Sequence, residues 1–214
     1  MAAPQTQNAN VSMSLIALTG ATGFIGRFLL QELPRRGYHV RVLLRRPAEM
    51  MAQGSSAVIG DLSRPQNLGA ALEGVDAVVH SAGIASTMTG VPEDDHRTLN
   101  TEATIRLARA AARAGATRFI FLSSIRAQCG PVSDQLLTEQ SEPRPTDAYG
   151  RSKLAAEEAL AGLDINWVAA ARSRLRRRGQ GEHGAAHPPR SLAAATASWR
   201  AGRTAVAAVA PEFG

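Results

Sequence analysis

The segment Leu15-Ile-Ala-Leu-Thr-Gly-Ala-Thr-Gly-Phe-Ile-Gly26 joins a short apolar run to a turn that contains three glycines. The run from Leu15 to Leu18 has the length and apolarity of a strand that is buried on both faces. The spacing of Gly20, Gly23 and Gly26 suits a strand-to-helix turn that holds a dinucleotide. One glycine permits a tight turn, the next lets backbone N–H groups approach a pyrophosphate, and the last lets helix and strand pack closely. The N-terminal end of the following helix would then face the phosphates.

Beyond this turn, apolar runs and amphipathic segments alternate along the chain. Further strands are predicted at 38–44, 57–60, 77–79 and 118–122, and a sixth begins with residues 165–168. Helices are predicted at 24–36, 65–72, 95–114 and 148–163. Gly37 and Gly115 are placed where two of these helices end. Strands that alternate with helices predict an α/β protein, a doubly wound Rossmann domain with a parallel sheet and helices on both faces.

The composition favours a soluble cytoplasmic protein without a membrane partner. No apolar run has the length needed to cross a bilayer. Residues 1–12 have neither the basic start nor the apolar centre of a signal peptide, and we expect them to form a disordered leader. Cys129 is the only cysteine, so it has no disulfide partner within the chain, and nothing in the sequence around it would stabilise a thiolate.

The net charge of +6 is concentrated at one end of the chain. Residues 1–168 contain sixteen Lys or Arg and sixteen Asp or Glu, whereas residues 169–214 contain eight Arg and two Glu. A basic tail that binds nucleic acid or an acidic surface is one interpretation. The tail shows neither helical nor strand periodicity, and a second interpretation depends on the motifs that precede it.

Ser124, Tyr149 and Lys153 form the candidate catalytic group. Tyr149 and Lys153 are four residues apart at the start of a predicted helix, so their side chains share one face. A lysine ammonium beside a phenol favours the phenolate and lowers the tyrosine pKa. Such a tyrosine can pass a proton to or from a substrate hydroxyl while a hydride moves to or from nicotinamide. Ser124 follows a predicted strand, where open α/β sheets bind ligands, and its hydroxyl could hydrogen-bond the same substrate oxygen.

From Leu15 to about Val168 the sequence resembles the extended short-chain dehydrogenase/reductases, the NAD-dependent epimerase/dehydratase family. The motifs that carry the resemblance occur in the family's order: Thr19 to Gly26, Asp61-Leu62, His80 to Gly83, Asn100, Phe119 to Ser124, Tyr149 and Lys153. Taken singly, Asp61 could be a turn residue and His80 a core histidine with its hydrogen bonds satisfied.

The resemblance implies a role for each matched residue. Asp61 and Leu62 would flank the adenine, Ser124 and Tyr149 would hold the reacting oxygen, and Lys153 would also reach the nicotinamide ribose. The residues predicted to bind the cofactor are Gly20, Gly23, Phe24, Ile25, Gly26, Arg45, Asp61, Leu62, Ser81, Ala82, Gly83, Asn100, Tyr149 and Lys153. No metal site is predicted.

Two departures from the family pattern bear on the subtype. Members that prefer NAD end the second strand with an acidic residue, whereas this chain has Arg45-Arg46. A guanidinium there suits the 2′-phosphate of NADP, and a solvated arginine pair is the alternative. The family's dehydratases place acidic residues just after the serine, and here Ser124 is followed by Ile-Arg-Ala. Elimination chemistry is therefore disfavoured, which leaves epimerisation or carbonyl reduction.

The tail is the largest departure from the family. After Val168 such proteins continue into a smaller domain that binds the nucleotide sugar, whereas residues 169–214 are rich in Ala and Arg. Back-translated and read one base later, residues 175–184 can spell Tyr-Gly-x-Gly-Val-Lys-Gly-Asn-Met, which resembles the loop expected there. We infer a frameshift near residues 169–171, with a natural disordered basic tail as the alternative. The predicted organisation is a leader (1–12), a Rossmann domain (13–168) and a disordered tail (169–214), with the substrate domain missing or scrambled.

Three functions follow from these motifs. The first is an NAD(P)-dependent nucleotide-sugar epimerase similar to UDP-glucose 4-epimerase, which oxidises a sugar carbon and reduces it again on the other face. The second is an NADP-dependent carbonyl reductase of the same family. The third is a truncated protein that binds the cofactor without catalysis. The expected partner is a nucleotide sugar, with no nucleic acid or membrane, and a homodimer is one assembly that the resemblance allows.

Overall fold

The computed structural model describes residues 14–47, 54–85, 88, 90–130 and 141–172 of the 214-residue chain. Its strands are β1 (Leu15–Thr19), β2 (His39–Leu44), β3 (Ser55–Val58), β4 (Ala77–His80), β5 (Arg118–Ser124) and β6 (Trp167–Arg172). Its helices are α1 (Phe24–Arg35), α2 (Gly69–Leu72), α3 (Glu93–His96), α4 (Ala103–Arg113) and α5 (Ala148–Ala161). A π-helical segment (Arg97–Glu102) joins α3 to α4, and a 3₁₀ turn (Ile125–Ala127) follows β5.

The strands form one parallel sheet in the order β3-β2-β1-β4-β5-β6. This is the order of the doubly wound Rossmann fold, as the sequence predicted. The chain runs outward in one direction from β1 to β3 and in the other direction from β4 to β6. Ligands of such sheets bind beyond the carboxyl ends of the strands where the direction reverses. In this chain that crevice opens between the loops that follow β1 and β4.

Apolar side chains cover both faces of the sheet. On one face, Leu72 of α2, Leu107 of α4 and Leu160 of α5 pack with Phe119 and Phe121 of β5, and all five are fully buried. On the other face, leucines of α1 pack against Ile16 and Leu18 of β1 and Val40, Val42 and Leu44 of β2. Helices on both faces confirm the predicted layering, because strands buried on both faces require a helical layer on each.

Several predicted elements differ from the structure in their bounds. β5 runs on to Ser124, β6 begins at Trp167 and α5 ends at Ala161, each two residues from the predicted position. β3 begins two residues before the predicted start at residue 57. The helix predicted at 65–72 is limited to Gly69–Leu72, because the Asn67 side chain accepts the Gly69 N–H at 3.2 Å and the Gln66 amide holds the Asp61 carbonyl. The helix predicted at 95–114 is continuous from Glu93 to Arg113 but contains the π-helical segment, which no residue pattern indicated.

The sixth strand extends beyond the predicted end of the domain. β6 runs to Arg172 and pairs with β5 as far as Ser124, so residues 169–172, which were predicted to begin the tail, lie in the sheet. The predictions for residues 173–214 and for the leader at 1–12 fall outside the described residues.

Candidate active site

The three glycines after β1 occupy three different environments. Gly20 has a φ of +70°, and a Cβ there would lie 2.6 Å from the backbone N of Ala82. A Cβ on Gly26 would lie 2.0 Å from the carbonyl oxygen of Gly20, so the first turn of α1 packs directly on the loop. A Cβ on Gly23 would meet only the Gly20 carbonyl oxygen within 4 Å, at 3.3 Å. Packing therefore requires Gly20 and Gly26, whereas Gly23 is the least crowded of the three, with one tight contact in place of several overlaps.

The loop after β4 is held against this turn by hydrogen bonds. The Thr19 hydroxyl accepts the backbone N–H groups of Ser81 and Ala82, both at 3.2 Å. A Cβ on Gly83 would lie 2.6 Å from Asn100 Oδ1 and 3.5 Å from Lys153 Nζ. The structure thus brings Gly20, Ser81 to Gly83 and Lys153 together at the carboxyl edge of the sheet.

His80 is a buried histidine whose hydrogen bonds define its tautomer. Its Nε2 lies 3.0 Å from the Thr104 hydroxyl, which donates its own proton to the Asn100 carbonyl at 2.7 Å. Nε2 must therefore carry the ring proton, and Nδ1 accepts from the Thr19 hydroxyl at 2.7 Å. Burial, with a smaller contribution from the Lys153 charge, lowers the pKa of His80 from 6.5 to about 3. His80 is thus a neutral core residue that orients Thr19, the group that holds the loop.

Asn100 supports the same loop from behind. Its Oδ1 accepts the Ile84 N–H at 2.8 Å, and its Nδ2 donates to the Ile84 carbonyl at 3.2 Å and to the Ser152 hydroxyl at 3.1 Å. The side chain is fully buried within the π-helical segment. Both atoms of the Asn100 amide therefore have hydrogen-bond partners within the protein, and these hydrogen bonds connect the loop after β4 to α5.

The predicted adenine-side residues lie at the ends of β2 and β3. Arg45 is exposed directly after β2, and Asp61 follows β3. The Asp61 carboxylate accepts the Ser63 N–H at 2.9 Å, and this hydrogen bond is the largest cause of its lowered pKa, to which the Arg45 charge also contributes. The Leu62 carbonyl accepts from Arg106 at 2.8 Å. Phe24 and Ile25 begin α1 directly after Gly23.

The catalytic candidates meet where β5 ends and α5 begins. The Asp147 side chain accepts the Gly150 N–H at 2.6 Å and so caps α5, which fixes Tyr149 in the first turn. Lys153 Nζ donates to the Leu122 carbonyl at 3.0 Å and lies 5.9 Å from the Tyr149 ring centre. Ser124, the last residue of β5, hydrogen-bonds the Tyr149 side chain.

The pKa of Tyr149 differs from the value expected from its spacing to Lys153. Burial raises the pKa of Tyr149, while the hydrogen bond from Ser124 and the charge of Arg126 lower it, and Lys153 makes no resolved contribution. The prediction that Lys153 lowers the pKa of Tyr149 is therefore wrong for the chain alone, because the ammonium is turned toward the Leu122 carbonyl. Lys153 is itself perturbed: burial lowers its pKa from 10.5 to about 8, and Glu157 opposes that shift.

Two features of the site were missed in the sequence. Arg126, in the 3₁₀ turn after Ser124, forms an ion pair with Asp147, and its charge lowers the pKa of Tyr149. Glu157, four residues after Lys153, accepts a hydrogen bond from the Ser123 hydroxyl. One signal in the sequence could have drawn attention to the neighbours of Lys153, because it is the only lysine among 24 basic residues (Lys plus Arg).

The described part of the chain offers neither a metal centre nor a membrane span. No three His, Cys, Asp or Glu side chains there come together as metal ligands would. None of the helices described has both the length and the apolarity to cross a bilayer. Cys129 is buried, and burial raises the pKa of its thiol.

The comparisons define the class of protein. Residues 16–167 match the model of the NAD dependent epimerase/dehydratase family, and the chain belongs to that family. This confirms the resemblance, and the match ends one residue before Val168.

Relatives with similar sequence identity to this chain are named for different enzyme activities. The chain is 30% identical over 156 residues to a 3-beta-hydroxysteroid dehydrogenase of Mycolicibacterium neoaurum, covering 69% of this chain and 42% of the relative. It is 32% identical over 152 residues to a UDP-glucose 4-epimerase of Vibrio cholerae, covering 69% and 46%. Among solved structures, MoeE5 in complex with UDP-glucose and NAD superposes with a TM-score of 0.61 at 32% identity, covering 73% of this chain and 52% of that one. The chain spans about half the length of these relatives.

Proposed function

We propose that the carboxyl edge of this sheet binds a nicotinamide dinucleotide, with the pyrophosphate beside Gly23. The observation that carries the proposal is the contrast among the three glycines: a Cβ at Gly20 or Gly26 would overlap backbone atoms, whereas a Cβ at Gly23 would make a single tight contact, 3.3 Å from the Gly20 carbonyl oxygen. The helix that follows has no side-chain cap and no acidic residue in its first turn. The positive end of the helix dipole therefore meets no carboxylate of its own first turn, and such a helix start favours an anion such as a pyrophosphate.

The residues around this turn fit the rest of the cofactor. The loop of Ser81 to Gly83 is fixed by Thr19 and Asn100, so it offers a rigid wall on one side. Asp61 and Arg45 lie at the ends of the neighbouring strands, where an adenine and its ribose would extend. Arg45 gives the site a cation for a 2′-phosphate, and NADP is therefore proposed as a cofactor beside NAD.

The proposed chemistry is proton transfer by Tyr149 coupled to hydride transfer. The nicotinamide would supply the hydride acceptor or donor. Tyr149 would exchange a proton with the substrate oxygen, and the Ser124 hydroxyl would hold that oxygen by a hydrogen bond. The buried Lys153 ammonium would stabilise the phenolate that forms when Tyr149 gives up its proton. That requires the ammonium to leave or share the Leu122 carbonyl.

For the substrate we propose a nucleotide sugar, epimerised at a sugar carbon as by UDP-glucose 4-epimerase. The match to a UDP-glucose 4-epimerase and to MoeE5, solved with UDP-glucose and NAD, supports this class. A carbonyl reductase that uses NADP is the second candidate, and it is favoured by Arg45 and by the steroid dehydrogenase relative. A chain that binds the cofactor without turnover is the third candidate.

One set of measurements separates these candidates. The chain is titrated with NADH and NADPH, and then assayed for conversion of UDP-glucose to UDP-galactose and for reduction of carbonyl compounds. Sugar conversion that is lost in Tyr149→Phe supports the epimerase, and NADPH-dependent reduction supports the reductase. Cofactor binding without turnover supports the third candidate, and failure to bind either cofactor contradicts all three.

A separate substitution tests the preference between NADPH and NADH. Arg45→Asp removes the cation proposed for the 2′-phosphate, and should shift the ratio of affinities from NADPH toward NADH. Arg113→Asp, at an exposed position on α4, is the matched control and should leave the ratio unchanged. An unchanged ratio in Arg45→Asp would make Arg45 a solvated surface residue.

A further inference from the structure

Three residues of α5 contact three consecutive residues at the end of β5. Tyr149, Lys153 and Glu157 are spaced by four residues and therefore follow one face of the helix, each about 6 Å farther along its axis. Tyr149 pairs with the Ser124 side chain, Lys153 donates to the Leu122 carbonyl, and Glu157 accepts from the Ser123 hydroxyl. We call this set the α5 ladder.

Glu157 is not a surface carboxylate with an incidental hydrogen bond. Its neighbour Glu158 is exposed, whereas Glu157 is only partly accessible and faces the sheet. Ser123 points to the same face of β5 as Phe119 and Phe121, which is the face that α4 and α5 cover. A carboxylate in such a place loses hydration, and it needs hydrogen bonds or a cation in return. Ser123 supplies the hydrogen bond, and Lys153 supplies the cation.

The two charges act on each other. Burial raises the pKa of Glu157, while the Ser123 hydrogen bond and the Lys153 charge lower it. Burial lowers the pKa of Lys153, and Glu157 raises it. The other groups that face Lys153 are the His80 ring from β4, the Phe121 ring from β5 and the Tyr149 ring from α5 itself. His80 and Tyr149 are uncharged at neutral pH, so Glu157 is the counter-charge in this group.

We propose that Glu157 is a positioning residue for Lys153: held by Ser123 one turn farther along the same face of α5, its carboxylate is the counter-charge for the buried Lys153 amine at the end of β5. The proposal rests on the proposed function only in giving Lys153 a role in catalysis and cofactor binding. The charge coupling itself is a property of the folded chain.

The single lysine makes the coupling directly measurable. Lysine labelled with ¹³C at Cε reports one side chain in this protein, so its NMR titration needs no assignment. Glu157→Gln keeps the size of the side chain and removes its charge. We expect the Lys153 titration to move to lower pH by about one unit, a tenfold change in its acid constant. Glu158→Gln, the matched control, removes an exposed charge and should move it by less than about a third of that amount.

A second variant covers the case in which Glu157→Gln does not fold. Ser123→Ala removes the hydrogen bond that holds the Glu157 carboxylate but leaves its charge. It should lower the Lys153 pKa by less than Glu157→Gln does. A Lys153 titration that is the same in the wild type, Ser123→Ala and any folded Glu157→Gln would overturn the proposal.

A functional readout separates this proposal from the proposed function. If Lys153 contacts the cofactor, NADH affinity should fall as pH rises through the Lys153 pKa, and the fall should begin at lower pH in Glu157→Gln. Loss of NADH binding in every variant and in the wild type would contradict the proposed function, while the NMR shift would still support the Glu157 coupling. Binding with no shift in either profile would overturn the coupling alone.

Discussion

Replacement of Lys153 by methionine should stabilise the fold at neutral pH. The Lys153 side chain is buried, and burial lowers its pKa from 10.5 to about 8. Below pH 8 the folded chain must therefore hold a charged ammonium in a place that disfavours it. Methionine has a similar length, is unbranched and carries no charge, so it fills the same space without that cost.

The magnitude follows from the displacement of the pKa. A change from 10.5 to about 8 corresponds to roughly 3 kcal/mol at about 1.4 kcal/mol per pH unit. The variant also loses the hydrogen bond to the Leu122 carbonyl, which reduces this stabilisation by about 1–2 kcal/mol. We expect a net gain of about 1–2 kcal/mol in the free energy of unfolding at pH 7.

The pH dependence gives the prediction its sign. Between pH 8 and 10.5 the unfolded chain binds the Lys153 proton and the folded chain does not, so this group makes the wild type more stable as pH rises. The difference in stability should therefore favour Lys153→Met most below pH 8 and should fall by about 3 kcal/mol as pH rises to 10.5, where the wild type becomes the more stable protein by about 1–2 kcal/mol. Urea unfolding of both proteins at each pH measures this difference, and groups common to both cancel.

Two results would refute this reasoning. A Lys153→Met variant that is less stable at pH 7 would mean that the ammonium stabilises the fold. A difference that does not change between pH 7 and 10.5 would mean that Lys153 titrates normally in the folded chain. The expected result is a residue retained at a cost in stability, as residues with a chemical role often are.

Two further predictions concern the support of the site. His80 is buried and neutral, and its pKa is lowered from 6.5 to about 3. As pH falls below 6.5, this residue should therefore reduce the free energy of unfolding by up to about 1.4 kcal/mol per pH unit. Unfolding measured from pH 7 to 4 should show a smaller loss of stability in His80→Gln, and an equal loss would contradict a neutral His80. Gly26→Ala places a Cβ 2.0 Å from the Gly20 carbonyl oxygen and should cost about 3 kcal/mol or more, whereas Gly162→Ala, whose Cβ would lie 3.6 Å from the Ala159 carbonyl oxygen, should change the unfolding midpoint little.

The fold could be predicted because its signals are local. The apolar run at β1 and the glycines after it specify a buried strand and a tight turn within twelve residues, and the structure has both at those positions. The helix predicted at 65–72 failed because side chains of Asn67 and Gln66 bind nearby backbone groups, and such contacts depend on geometry rather than composition. The π-helical segment at Arg97–Glu102 shifts backbone hydrogen bonds without any marker in the side chains.

The site was only partly visible in the sequence for a different reason. The residue types and spacing of Ser124, Tyr149 and Lys153 gave the candidate group, but not the direction in which each side chain points. Lys153 turns toward the Leu122 carbonyl, so its effect on Tyr149 could not be read from the four-residue spacing. Glu157 became visible only when the sheet placed Ser123 against α5.

Titration of the chain with NADH, followed by the fluorescence of the reduced nicotinamide, tests the central claim most directly. We expect saturable binding by the wild type. We expect at least a tenfold loss of affinity in Gly23→Val, about 1.4 kcal/mol, in a variant whose unfolding shows that it is folded at the temperature of the titration, because its side chain would stand where the pyrophosphate approaches. Gly162→Ala should bind NADH as the wild type does. No saturable binding by the wild type, or equal affinity in a folded Gly23→Val, would contradict the assignment of this edge of the sheet as a cofactor site.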